Sequence, residues 1–228
     1  MNIKNLGEIE AVAFDIDGTI YPQWKIHFIA FIHYLSHGIF FLHYGLVRHE
    51  LHGLEQTADF NRIQTEKMAK RLNCSYEKAA EKLDKIVYSG LEKYFKKIRC
   101  YKDCVETIRK FKDAGLKIAL LSDFPPEQKG EIWGIKKYCD VALGTEALGA
   151  LKPDPYSFKK MAEKLEILPE KILFVGNSLK YDVAGSKAAG MKSAYLLAWR
   201  YRIFKFLVPK NVDIAFSNYR QLQDFVLR

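Results

Sequence analysis

Asp15-Ile16-Asp17-Gly18-Thr19 sets two carboxylates two residues apart at the end of an apolar run, Glu10 to Phe14. In extended backbone alternate side chains share a side, so Asp15 and Asp17 would face one space. Such a pair can hold a hard cation such as Mg2+ through oxygen, or divide work between nucleophile and proton donor. Gly18 lets the chain turn sharply beside them. A solitary Asp-x-Asp is as readily a solvated turn.

Three further groups stand at comparable places. Ser122-Asp123 closes the run Lys117 to Leu121 and supplies a hydroxyl and main-chain amides for phosphoryl oxygens, near a turn set by Pro125 and Pro126. Lys152, pinned by Pro153 and Pro155, offers a cation in a constrained loop. Gly176-Asn177-Ser178-Leu179-Lys180-Tyr181-Asp182 follows the run Lys171 to Val175 and opens a helix with oxygen donors, a plausible second half of a metal site. Each is weak alone. Their order carries the weight, because all four fall at the carboxyl ends of successive strand-like runs, where ligands bind in open α/β sheets.

The elements that must hold these groups follow from hydrophobic period. Glu10 to Phe14, Lys117 to Leu121, Lys171 to Val175, Lys192 to Leu197 and Val212 to Phe216 are short apolar, β-branched runs and read as strands. Helical spacing lies between the later ones. Phe158, Met161, Ala162 and Leu165 follow the Pro155 start, and Asp103 with Glu106 forms an Asp variant of a capping box ahead of Ile108 and Phe111. Asp182 to Ala189 reads as a short helix ended by Gly190. Strand alternating with helix implies an α/β fold with a parallel sheet covered on both faces. Between the first strand and Asp103 lie about eighty residues without a strand, too many for a structureless loop. Ser75 caps one helical run there, and Asp59 to Leu72 reads as another. The expected division is a core of residues 1–20 and 99–228 with a helical insertion at 21–98.

The four motifs resemble those of the haloacid dehalogenase superfamily of phosphatases, with a helical cap inserted after the first motif. That resemblance implies a Rossmann-like core in which Asp15 attacks phosphorus to form an aspartyl phosphate. Asp17 would protonate the leaving oxygen and then activate water. Ser122 and Asp123 would bind the phosphoryl group, and Lys152 would offset the charge crowded between it and Asp15. Mg2+ would lie among Asp15, Asp17, Asn177 and Asp182. Family members usually carry an acid where this chain has Asn177, so the site has one negative charge fewer and should bind metal less tightly. Dehalogenases of the superfamily also carry Asn in this region, but an acid at Asp17 is needed for phosphate esters and not for halide displacement. The expected activity is therefore a Mg2+-dependent phosphatase acting on a small phosphorylated metabolite. A sugar phosphomutase-like phosphotransferase and a non-catalytic binding protein of the same fold are the alternatives. In capped members the cap selects the substrate, and this cap names none.

Composition is that of a folded protein: 49% hydrophobic and 28% charged residues leave no case for disorder. A net charge of +9 suits a phosphorylated ligand, nucleic acid or an anionic surface without choosing among them. Nucleic acid is not expected, and the chain is expected as a monomer or homodimer. Four cysteines without Cys-x-x-Cys spacing, and no leader at the start, suggest reduced thiols in cytoplasm. All six histidines, His27 to His52, fall in the first part of the insertion. His33 and His37 could share a helix face, but no Cys or acid stands at zinc-like spacing, so packing or pocket lining is the better reading. Ile26 to Val47 carries no charged residue over nearly a membrane-spanning length, although its histidines and glycines argue against spanning. The aromatic and basic run Trp199 to Leu207 suits a subunit contact or plain packing better than a bilayer.

Overall fold

The computed structural model describes residues 2–3, 6–54, 56–198 and 209–228. The aromatic and basic run at 199–207 lies outside the described residues. A two-residue hairpin, β1 (Asn2–Ile3) and β2 (Gly7–Glu8), precedes a six-stranded sheet. Its strands are β3 (Ala11–Phe14), β4 (Lys117–Ser122), β5 (Val141–Gly144), β6 (Ile172–Gly176), β7 (Lys192–Leu196) and β8 (Ile214–Phe216). They lie in the order β5-β4-β3-β6-β7-β8, each pairing parallel with its neighbours. This is the covered parallel sheet read from the sequence. β5 is an addition, and β1 and β2 are too.

Side-chain alternation along β3 separates two apolar layers. Val12 and Phe14 pack with Ile108 and Phe111 of α7 (Cys104–Asp113) and Leu222 and Val226 of α11 (Tyr219–Leu227). Ala11 and Ala13 face Phe158, Met161 and Leu165 of α9 (Pro155–Leu165). Small residues on that face let α9 approach closely, and each fully buried Phe or Leu contributes about 1.5–3 kcal/mol.

α7 starts differently from the capping-box expectation. Asp103 sits at φ +63° and makes no side-chain cap. Its carboxylate pairs with Arg220 at 3.0 Å, a partner from α11 that outcompetes the local amides. Ser75 does cap α5 (Tyr76–Leu83), accepting from the Lys78 amide at 3.3 Å. The expected helix at 182–189 begins as a π turn, Leu179–Val183, and continues as α10 (Ala184–Ala188).

Between β3 and β4 the chain is helical: α1 (Gln23–Ile29), α2 (Phe31–Ser36), α3 (Gly38–Leu51), α4 (Phe60–Leu72), α5, and α6 (Ser89–Phe95) after a π turn at Asp84–Tyr88. These helices have their own apolar cluster, with Phe40, Tyr44, Val47 and Leu51 of α3 against Phe60, Met68 and Leu83. The main-chain amide of Tyr101 donates to the Ile20 carbonyl at 2.9 Å, joining the two ends of the insertion. The uncharged stretch 26–47 is divided among α1, α2 and α3, and among the described residues no helix is long and apolar enough to cross a membrane. Trp24, Phe28, Ile32, Leu35, Ile39 and Leu42 form an outward apolar ridge on these helices, each more than half exposed.

Candidate active site

Parallel registry puts the loops after β3, β4 and β6 side by side, since Phe14 pairs with both Leu120 and Val175. Asp15 follows β3 directly, and its amide donates to the Val175 carbonyl at 2.9 Å. Its carboxylate is fixed at both oxygens. Lys152 Nζ donates to Oδ1 at 2.5 Å and Thr19 Oγ1 to Oδ2 at 2.7 Å. Lys152 also reaches Asp182 Oδ1 at 2.8 Å, so one ammonium bridges two buried carboxylates. Burial pushes the Asp15 carboxyl up, with the charges of Asp182 and Asp17 adding to the rise and Lys152 pulling the other way. Burial opposes charge on Lys152 too, but Asp15, Asp182 and Asp123 hold it firmly protonated.

Asp17 takes a second, separate set of partners. Ser122 Oγ donates to its Oδ2 at 3.0 Å, Lys129 Nζ lies 3.1 Å from the same oxygen, and the Tyr21 hydroxyl donates to Oδ1. Burial alone would raise its pKa. The Lys129 charge and the hydrogen bonds of Tyr21, Lys129 and Ser122 outweigh that and hold it below the ordinary carboxylate range. Lys129 itself is buried, its Nζ 5.1 Å from the ring centroids of both Phe95 and Phe124.

Asp182 binds the Asn177 and Ser178 amides through Oδ2 at 3.0 and 2.9 Å, folding the loop after β6 back on itself. A side chain at Gly176 would collide with Asp182. Asn177 Oδ1 is 3.2 Å from Thr19 Oγ1, and its amide is pressed against Gly18, which has φ +90° and no room for a Cβ. Both oxygens of Asp182 therefore have partners within the protein. Asp123 Oδ1 accepts from Thr145 Oγ1 at 2.8 Å and the Lys152 amide at 3.1 Å, so the side chain braces the Lys152 loop.

Asp15, Asp17, Asp123, Lys152, Asn177 and Asp182 line one cavity of about 540 Å3, and Ser122 stands behind it on Asp17. Sequence reasoning missed Lys129, which lies in a polar run with no local sign of burial, and Tyr21, whose four-residue spacing from Asp17 could have suggested it. It also missed how the insertion meets the sheet. Arg48 of α3 pairs with buried Glu146 of α8 (Thr145–Leu148), which also accepts from the Tyr88 hydroxyl at 2.8 Å. His52 Nδ1 donates to the Lys152 carbonyl at 2.7 Å while its ring stacks on Tyr181 at 4.7 Å. Of the paired histidines, His33 meets the Ile86 carbonyl at 2.8 Å and His37 the His33 carbonyl at 2.9 Å, partners that belong to helix packing.

Residues 9–190 match the haloacid dehalogenase-like hydrolases. The chain belongs to that family. Among its relatives, a glyceraldehyde 3-phosphate phosphatase of Methanopyrus kandleri is 24% identical over 224 residues, covering 90% of each chain. A pyrophosphatase PpaX of Bacillus mycoides is 25% identical, covering 97% of this chain and 98% of its own. The structure of a 2-haloacid dehalogenase from Pseudomonas syringae superposes with a TM-score of 0.67 at 18% identity, covering 96% and 99%. The fold is thus shared with proteins named for both phosphate and halide chemistry, and the side chains have to distinguish them.

Proposed function

We propose that this hydrolase is a Mg2+-dependent phosphatase that cleaves the phosphate monoester of a small metabolite through an aspartyl phosphate on Asp15. One observation carries the reading: Asp15 and Asp17 share a cavity but have separate partners, which fits two carboxylates with two tasks. An Asp15 oxygen attacks phosphorus, and the bond from phosphorus to the leaving oxygen breaks. Asp17 passes its proton to that oxygen. An incoming phosphate dianion competes for Lys129 and Ser122 and adds a like charge, both of which raise the Asp17 pKa and let it take up the proton it donates. Asp17 then removes a proton from water, which attacks the aspartyl phosphate, releases inorganic phosphate and restores Asp15. Lys152 balances charge at Asp15, and Asp182 holds Lys152 in place.

The donor set suits a small hard cation: the Asp15 carboxylate, the Asp17 carbonyl and Asn177 Oδ1 are oxygen ligands, and the cradle at Gly18 keeps the Asn177 amide against the Asp17 turn. Mg2+ held there would neutralise phosphoryl charge; Asn177 supplies an uncharged oxygen, so the metal should bind less tightly than to a carboxylate. Four free thiols suit a reducing cytoplasm. Asp15→Asn should lower p-nitrophenyl phosphate turnover by at least about 10^3-fold, and chelation of Mg2+ should abolish it. Full activity in either assay would sink the proposal.

A further inference from the structure

Eight of the twelve large apolar side chains left exposed among the described residues lie between residues 24 and 46. They recur every three or four positions through α1, α2 and α3, as Trp24, Phe28, Ile32, Leu35, Ile39 and Leu42, and the pattern carries across the joints at Ala30 and His37. Phe28 and Ile39 are each 75% exposed. With about 150–250 Å2 for a whole large side chain, the ridge leaves roughly 1,000 Å2 of apolar surface in water, against about 300–600 Å2 for the largest patch of an ordinary monomer. Single apolar residues on a surface need no cover, but a contiguous strip of this size does.

Packing of the insertion does not account for the ridge. Phe40, Tyr44, Val47 and Leu51 already fill the inner face of α3, and Ile39, Leu42 and Leu46 give it a second apolar face where water favours charge. From Ile26 to Val47 the sequence has no Asp, Glu, Lys or Arg. A helix apolar on both sides is built to meet a second apolar phase. Since no helix among the described residues is long and apolar enough to cross a membrane, such a phase would be met by lying along it.

The charges that flank the ridge are mostly positive. Lys25 follows Trp24, and its Nζ donates to the Arg99 carbonyl at 3.3 Å, which brings the run Lys93 to Lys102 alongside α1. That run holds Lys93, Lys96, Lys97, Arg99 and Lys102 and no acid. All five are exposed, and among the described residues only Lys96 has an acidic partner, Glu92 at 3.6 Å. At the other end, beyond Leu46, Glu50 is matched by both Lys67 and Arg71, with Lys70 beside them. Surplus cations thus stand at both ends of the apolar strip. A second copy of the chain would bring the same cations and another charge of +9, which opposes association. An anionic bilayer offers hydrocarbon to the ridge and phosphate to the cations.

We propose that the insertion docks this protein on the surface of an anionic lipid bilayer, with the ridge at the boundary of headgroups and acyl chains and Lys25, Lys93, Lys97 and Arg99 against lipid phosphates. The docking surface is separate from the chemistry, because none of these residues lines the cavity that holds Asp15.

The test is sedimentation of the full chain with vesicles of phosphatidylcholine containing about a third phosphatidylglycerol, against phosphatidylcholine alone. Each cation near an anionic surface strengthens binding about fivefold, so the anionic vesicles should bind at least about tenfold more tightly. Salt at about 1 M, where the Debye length is about 3 Å, should release most of the protein. Phe28→Ser, Ile32→Ser and Ile39→Ser together should weaken binding at least about tenfold with the melting temperature unchanged. If that triple variant melts lower, Phe28→Ser alone decides, with a several-fold loss expected. Lys97→Glu with Arg99→Glu should weaken binding to the anionic vesicles by about tenfold or more. A native chain that does not sediment with anionic vesicles overturns the proposal, and a dimer in light scattering that the triple change dissociates would then assign the ridge to a second copy. Binding that the ridge substitutions leave intact overturns it as well, since charge alone would then hold the protein.

Discussion

On the sheet side of the active site, Asp15, Asp17, Lys129, Lys152 and Asp182 each lie within 3.1 Å of an opposite charge. On the helix side, Tyr34, Phe41, Tyr44, Leu91 and Phe95 present aromatic and aliphatic surface. The two sides respond to change by different rules. A buried charge is tied to its partner, and removing one member leaves the other unpaired at about 3–5 kcal/mol. An apolar wall exchanges one shape for another at less than about 1.5 kcal/mol when volume is kept. The paired charges are thereby fixed on one side while the apolar wall stays open to change on the other.

The contrast is broken most severely at Lys152. Lys152→Met strips the shared cation from Asp15 and Asp182 and should cost about 3–5 kcal/mol of stability together with nearly all turnover, read by urea denaturation and phosphate release. Arg48→Met tests whether the same rule holds where insertion and sheet meet. Glu146 would be left buried against Tyr88 alone, at about 3 kcal/mol, and the double change Arg48→Met with Glu146→Gln should recover part of the loss.

A smaller effect belongs to His52. Burial lowers its pKa below the ordinary histidine value, although Asp123 and the Lys152 carbonyl pull the other way. The folded state then favours the neutral ring, and below about pH 6.5 the unfolded chain binds more protons. Stability should fall as pH drops through that value toward the lower folded pKa. His52→Asn should flatten the slope in denaturation curves between pH 7 and pH 5. Least of all should change on the outward ridge. Phe28→Ser, Ile32→Ser and Ile39→Ser remove side chains already in water and should each shift stability by no more than about 0.5 kcal/mol, while shortening retention on a hydrophobic column.

Local pattern made most of the sheet legible. Five of its six strands are apolar runs, and the motif residues close three of them. β5 escaped because Val141-Ala142-Leu143-Gly144 is short, holds one β-branched residue and sits half-exposed at the sheet edge. The Asp103 box misled because a side chain that fits a local pattern took a distant partner instead. Spacing brought Asp15, Asp17, Ser122, Lys152 and Asn177 to one end of the sheet. It could not show that Lys129 would be drawn under Asp17, or that Arg48 would find a residue 98 positions away, because both pairings join residues far apart in the chain. Nor could it show the division of 26–47 into three helices with one face in a pocket and another in solvent.

The hydrogen bond from Tyr101 to Ile20 has a consequence for chain connectivity. Ala11 of β3 pairs with Lys117 of β4, so the central pairing of the sheet spans the whole insertion. Closing a flexible loop of about a hundred residues costs about 4 kcal/mol of entropy. An insertion whose ends already touch cancels most of that, and the sheet meets about eighty residues as if they were a tight turn. Doubling the length of such an insertion, or exchanging it for another whose ends also meet, would scarcely alter the entropy of pairing β3 with β4. The helices of the insertion are in this sense a cassette, replaceable without rewriting the strands beneath.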